Sequence, residues 1–147
     1  LEYFNASMTI INDSEAPWAL IENAQTVHLY NIARVFSMQG DHQRANEIAE
    51  SFAKKVKDNN NPVQTRLSCQ LNGILALEQN DYALAIEQLE KSNQLNPYNL
   101  FRIGLAYIGQ GKDEEAALML QRAEELNALN SLDQALVLSK TKYNSDI

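Results

Sequence analysis

In this 147-residue sequence the side chains best suited to hold a metal or attack a substrate are few: His28, His42 and the single cysteine, Cys69. A zinc site needs closely paired ligands such as Cys-x-x-Cys, or three donors that converge on the ion. Neither histidine stands at such a spacing from the other or from Cys69, so no metal and no cofactor is expected. His42 follows a turn glycine and reads as solvated, while His28 reads as a surface residue of a helical hairpin. Cys69 reads as a small core hydrophobe rather than a nucleophile. A lone cysteine excludes an intrachain disulfide and leaves the redox compartment open. The acid pairs Glu114-Glu115 and Glu124-Glu125 lie in helical patterns with Arg122 among them and no glycine loop to shape a pocket, so they read as a solvated face. No phosphate-cradling glycine loop, Gly-x-Ser-x-Gly elbow or His-Glu-x-x-His helix occurs. The expectation is a chain without catalytic residues.

The elements that must position these side chains are helices. Hydrophobic residues make up 45% of the chain against five glycines and three prolines, and the β-branched residues never alternate over strand length. The fold class expected is all-α. A net charge of −7 and a pI near 4.8 repel a phosphate backbone, so nucleic acid is not an expected ligand. No apolar run approaches the ~18 residues of a membrane span, and Leu1 to Ile11 carry no basic leader. The chain opens at Leu1 within a helical pattern, which reads as a piece of a longer protein or a processed product. Glu50 with Lys54 and Glu87 with Lys91 are spaced for exposed helical ion pairs of about 0.2–0.5 kcal/mol.

An internal repeat organises the helices. Three turns, Gln39-Gly40-Asp41, Gln79-Asn80-Asp81 and Gln110-Gly111-Lys112, each separate two apolar helical runs. Seven residues before the central Gly or Asn stands a small residue, Ala33, Gly73 or Gly104, and twelve after that an alanine, Ala45, Ala85 or Ala116. Small residues at a fixed spacing let two helices cross at close range. Leu29, Ile32 and Phe36, then Leu100, Ile103 and Tyr107, supply the apolar layer, with Leu89 and Leu120 on the second helices. Ala33 to Gly73 is 40 residues and Gly73 to Gly104 is 31, and the extra length is placed in a loop at Asp58-Asn59-Asn60-Asn61-Pro62.

These residues resemble the tetratricopeptide repeat, whose pattern is a large residue, Leu-Gly, an aromatic, a later Ala, a large apolar residue and a closing Pro. The third unit fits best, with Leu100, Ile103-Gly104, Tyr107, Ala116, Leu120 and Ala123. The second offers Gly73, Ala85, Leu89 and Pro97 but has Asn72 and Ala76 in place of a large apolar residue and an aromatic. The first, with Ala33, Phe36, Ala49 and Phe52, diverges most. The resemblance implies one domain over 1–147, an α-solenoid of antiparallel hairpins: units at 17–57, 63–95 and 97–128, a partial hairpin helix at 1–12, and a closing helix at 131–142. In that closing helix Ser131 caps, and Leu132, Ala135, Leu136 and Leu138 cover the third unit. Residues Asn127 to Lys142 are also similar to the closing segment of bacterial tetratricopeptide proteins.

The resemblance further implies a concave groove lined by the first helix of each unit, where a protein or peptide binds. The first unit would contribute Val27, Tyr30, Asn31, Arg34 and Met38. The second would contribute Leu67, Gln70, Leu71, Ile74 and Glu78, and the third Tyr98, Phe101, Arg102 and Leu105. The contact residues expected are Tyr30, Arg34, Gln70, Ile74, Tyr98, Phe101 and Arg102. Family members that grip a chaperone's C-terminal carboxylate use Lys and Asn, then Asn, then Lys and Arg. Here Tyr30 with Arg34, then Leu71, then Tyr98 replace these, and only Arg102 matches. The groove therefore suits an apolar segment whose carboxylates Arg34 and Arg102 orient. The alternatives are a structural or self-associating end of a longer solenoid, and a regulatory appendage of a larger protein.

Overall fold

The computed structural model describes residues 2–126 together with Val137 and Lys140. Seven helices are assigned over the described residues: α1 (Glu2–Asn12), α2 (Trp18–Met38), α3 (His42–Asn59), α4 (Pro62–Glu78), α5 (Tyr82–Glu90), α6 (Pro97–Gly109) and α7 (Asp113–Glu125). The fold is all-α, a repeat of helical hairpins. Two compact units, Leu1–Leu71 and Asn72–Ile147, divide the chain within α4.

The three repeated turns are built alike. A helix leaves its last carbonyls without partners, and a left-handed residue just past the end lets the following N–H groups fold back onto them. Gly40 (φ 78°), Asn80 (φ 61°) and Gly111 (φ 70°) are those residues. The Asp41, Asp81 and Lys112 amides then donate to the carbonyls of Phe36, Ala76 and Tyr107 at 2.9, 2.9 and 3.0 Å. The next helix starts at once: the Asp41 carboxylate accepts from the Arg44 amide at 3.2 Å and that of Asp81 from Leu84 at 3.1 Å. Lys112 occupies the same position before α7 without a side-chain cap.

In the first unit α3 packs against α2, and Ala33, Ala45 and Phe52 are fully buried. The Tyr30 ring meets Phe52 edge-on at 6.0 Å. The extra length of this repeat lies in α3 and not in a loop. With 18 residues, α3 exceeds α5 (9) and α7 (13), and Asp58 and Asn59 are helical up to the left-handed Asn60 (φ 47°). The Asp-Asn run fails to break the helix earlier because Val56 is buried and anchors that last turn.

In the second unit α6 packs against both α5 and α7. Ala76, Ala85 and Ala106 form one buried cluster with Leu77, Tyr82 and Ile86 against it. The Tyr82 ring lies directly on Gly109, where no side chain would fit. Gly73 and Gly104 likewise abut Leu89 and Leu120, so the close approach expected of these glycines is realised against the leucines of the second helices. A further cluster joins Leu100, Phe101, Ala123 and Val137, with Tyr98, Leu105, Leu120 and Leu126 packed on it. Of the expected closing helix at 131–142, only Val137 and Lys140 are among the described residues; Ser131, Leu132, Ala135, Leu136 and Leu138 lie outside them, as does the stretch from Asn127.

Candidate functional site

The first helix of each hairpin carries the candidate side chains, and the structure gathers them into two groups, one in each unit. In the first unit, hydrogen bonds from the Gln64 amide to the Asn23 side chain at 3.4 Å and from the Gln70 amide to the Tyr30 hydroxyl at 2.8 Å join α2 to α4. Both partners advance in the same sense along their chains, so the two helices run parallel. Tyr30 is buried, held by Phe52 on its ring and by Gln70 at its hydroxyl. Over the ring lies Arg34, its guanidinium carbon 5.5 Å from the centroid, a cation–π arrangement one helical turn along α2. Val27, Asn31, Arg34 and Met38 follow helical spacing and share one face. Val27 and Met38 are exposed, at 39% and 77%, and Asn31 and Arg34 are half-buried. Tyr30, Arg34 and Gln70 thus form one constellation.

The second unit holds a counterpart. Tyr98 meets Phe101 edge-on at 6.3 Å. Arg102 stands 5.0 Å from the centre of the Tyr98 ring and Lys140 5.1 Å. Arg102 also donates to the Asn99 side-chain oxygen at 3.4 Å, and the fully buried Asn99 amide donates to the Asn93 carbonyl at 3.0 Å. Phe101 and Ile74 are buried, and Phe101 sits under Val137 in the core cluster; Tyr98 is half-buried. Of the seven expected contact residues, Tyr30, Ile74 and Phe101 are buried, while Arg34, Gln70, Tyr98 and Arg102 are partly exposed. Lys140 and Val137 were not anticipated: nothing in a period-3.6 pattern distinguishes them from the neighbouring Leu136 and Leu138.

The remaining chemistry-bearing side chains are dispersed. Cys69 is half-buried and lines a small open cavity of about 210 Å³ with Ala53, Val56 and Ser68, instead of filling the core as expected. His42 is half-buried with its Nδ1 atom enclosed and without a hydrogen-bond partner, and so is not the fully solvated residue expected from its place beside a turn. Burial lowers the pKa of the half-buried His28 from 6.5, since desolvation penalises its charged form. Among the described residues, no three or more His, Cys, Asp or Glu side chains cluster to hold a metal. Lys91 pairs with Glu87 at 2.6 Å as its spacing predicts; no such ion pair joins Lys54 to Glu50, both solvent-facing side chains. No helix among the described residues is long and apolar enough to cross a membrane.

Comparison with known proteins gives a family for two of the hairpins. The family model described as tetratricopeptide repeat matches residues 29–59 and 98–127. These segments cover the second half of α2 with α3, and α6 with α7, the first unit of the repeat as well as the third, although the first departs most from the sequence pattern. These two segments are similar to tetratricopeptide repeats, a family that generally mediates protein–protein interaction and is typically non-catalytic. Neither a curated protein nor a solved structure matches the chain significantly.

Proposed function

We propose that this chain is a non-catalytic interaction module that binds a segment of a partner protein along the exposed faces of its first helices. The observation that carries this reading is the α2 face, where Val27 and Met38 stand exposed on either side of a guanidinium ordered by a buried tyrosine. An unpaired polar tip between apolar side chains, on a rigid element, is the composition of an interface anchor. The family match supports protein as the ligand class, and the net charge of −7 argues against nucleic acid.

Affinity capture from the source cell tests this, with native chain beside a Val27→Glu, Met38→Glu double variant. Both side chains are exposed, so the variant should keep native helicity by circular dichroism. A protein retained by the native chain and lost by the variant is expected; equal retention refutes this face as the contact. A second reading, self-association, is favoured by Tyr3, Ile10, Trp18 and Leu20, which are 91%, 71%, 69% and 61% exposed on α1 and the start of α2. Light scattering over a concentration series separates the two, and the single tryptophan, Trp18, provides a fluorescence reporter of its own burial.

A further inference from the structure

Where α3 gives way to α4, Ser68 and Cys69 place chemistry that the interaction reading does not use. The cavity of about 210 Å³ that they line is open to solvent and has Ala53 and Val56 in its wall. Val56 is buried, which ties that wall to the core, and Cys69 stands half-buried beside it. Ser68 is 9% exposed, yet among the described residues its hydroxyl has no hydrogen-bond partner. A helical hydroxyl ordinarily turns back to a carbonyl of the preceding turn. The Thr65 hydroxyl, also on the cavity wall, does so, donating to the Asn61 carbonyl at 3.0 Å. Ser68 makes no such bond, and its donor is left for a group that enters the cavity. Lys57 is the one charged residue on the wall; it is exposed and joins no ion pair among the described residues. A cysteine that is partly exposed in an electropositive setting is the reactive kind, whereas one sealed in an apolar core is inert.

We propose that this cavity is a covalent modification site, where Cys69 takes up a small α,β-unsaturated carbonyl compound that carries a carboxylate. The sulfur, having released its proton to solvent, bonds to the β-carbon as the carbon–carbon π bond breaks. The displaced electron pair passes to the carbonyl oxygen as an enolate, and a proton from solvent then adds at the α-carbon, so no oxidant or further reactant is needed. Ser68 donates to the carbonyl oxygen as it gains charge, a contact that strengthens during the addition. Lys57 pairs with the carboxylate, and Ala53 and Val56 face the carbon chain. The proposal is independent of the partner-binding face on α2, and its failure would leave that reading untouched.

The test treats the full chain with monomethyl fumarate, which carries a carboxylate, and with dimethyl fumarate, which does not, and follows the adduct by intact-mass spectrometry. Cys69 is the single cysteine, so thiol uptake reports one site. Dividing each rate by that of mercaptoethanol with the same reagent removes the intrinsic difference between the two. The normalised rate should be about tenfold higher for the anionic reagent, the worth of one charge-assisted contact. Lys57→Gln should abolish that preference, whereas Lys54→Gln, at an exposed residue that does not line the cavity, should keep it. Ser68→Ala should slow both reagents several-fold with unchanged helicity, and Cys69→Ser should take up neither. The proposal is overturned by a native chain that forms no adduct, by equal normalised rates for the two reagents, by a Lys57→Gln variant that still prefers the anion, or by a Ser68→Ala variant as fast as the native chain.

Discussion

Gly73 and Gly104 occupy equivalent positions, yet alanine should affect them differently. A Cβ at Gly104 would lie 2.8 Å from Leu120 Cδ2 and 2.9 Å from its Cγ, with the Ala116 carbonyl oxygen at an ordinary 3.5 Å. Leu120 is half-buried, so its side chain has room to swing away. A Cβ at Gly73 would meet Leu89 Cγ at 2.6 Å, its Cδ2 at 3.0 Å and its backbone nitrogen at 3.1 Å, and Leu89 is fully buried. There the helix itself must retreat. Overpacking of this kind costs about 1–3 kcal/mol, and replacing a helical glycine by alanine returns about 1 kcal/mol. Gly104→Ala should therefore be close to neutral, while Gly73→Ala should lose up to about 2 kcal/mol. At ~2–4 °C per kcal/mol for a chain of this size, that is a drop of several degrees in Tm. Urea titrations followed by circular dichroism give both values. Equal losses, or a larger loss at Gly104, would refute the argument that backbone proximity decides the cost.

Other expectations follow from the turns and the histidine. Nothing lies within 4 Å of a Cβ at Gly40 or Gly111, so alanine there should cost about 1–2 kcal/mol through the left-handed backbone alone, and Asn80→Gly should not destabilise; urea midpoints for the three decide this. Asp81→Ala should lose about 1 kcal/mol of capping, whereas Lys112→Asp should gain a comparable amount by supplying the cap α7 lacks, again read from urea titration. Because burial lowers the pKa of His28, the unfolded chain binds the proton more readily, and stability should fall as pH drops through 6.5 toward the lowered folded value. His28→Gln should flatten that part of the profile, and an NMR titration midpoint for His28 at or above 6.5 would contradict it.

The hairpins were legible because their turns are dictated locally. A left-handed residue followed by a helix cap can be read from Gly40-Asp41 or Asn80-Asp81 without knowledge of the rest of the chain, and both turns form so, while Gly111-Lys112 keeps the left-handed residue without the side-chain cap. The end of α3 was not legible, since Asp58 and Asn59 weigh little locally beside the burial of Val56. Tyr30, Arg34 and Gln70 were individually visible, but the Gln70–Tyr30 hydrogen bond spans 40 residues and arises from the parallel approach of two helices, which no short window encodes. The same holds for His42, whose enclosed ring nitrogen reflects packing and not its sequence neighbours.

What the repeats share and where they differ bear on function. The turn hydrogen bonds are nearly superimposable in the three hairpins, and the small residues at the helix crossings leave little freedom. The first helices differ more from one hairpin to the next: buried Tyr30 and half-buried Arg34 in α2, buried Ile74 and exposed Glu78 in α4, half-buried Tyr98 and Arg102 in α6. In α2 and α6 the arginine lies four residues after a tyrosine and over its ring, at 5.5 and 5.0 Å. In repeat register the two pairs are offset by about one turn, since Arg34 directly follows Ala33 whereas Arg102 precedes Gly104. An arginine over a tyrosine ring contributes about 0.5–2 kcal/mol, while the Tyr30 ring itself is packed on Phe52. On the interaction reading proposed above, the partly exposed arginines of these pairs, and not the packed tyrosines, are what a partner would reach.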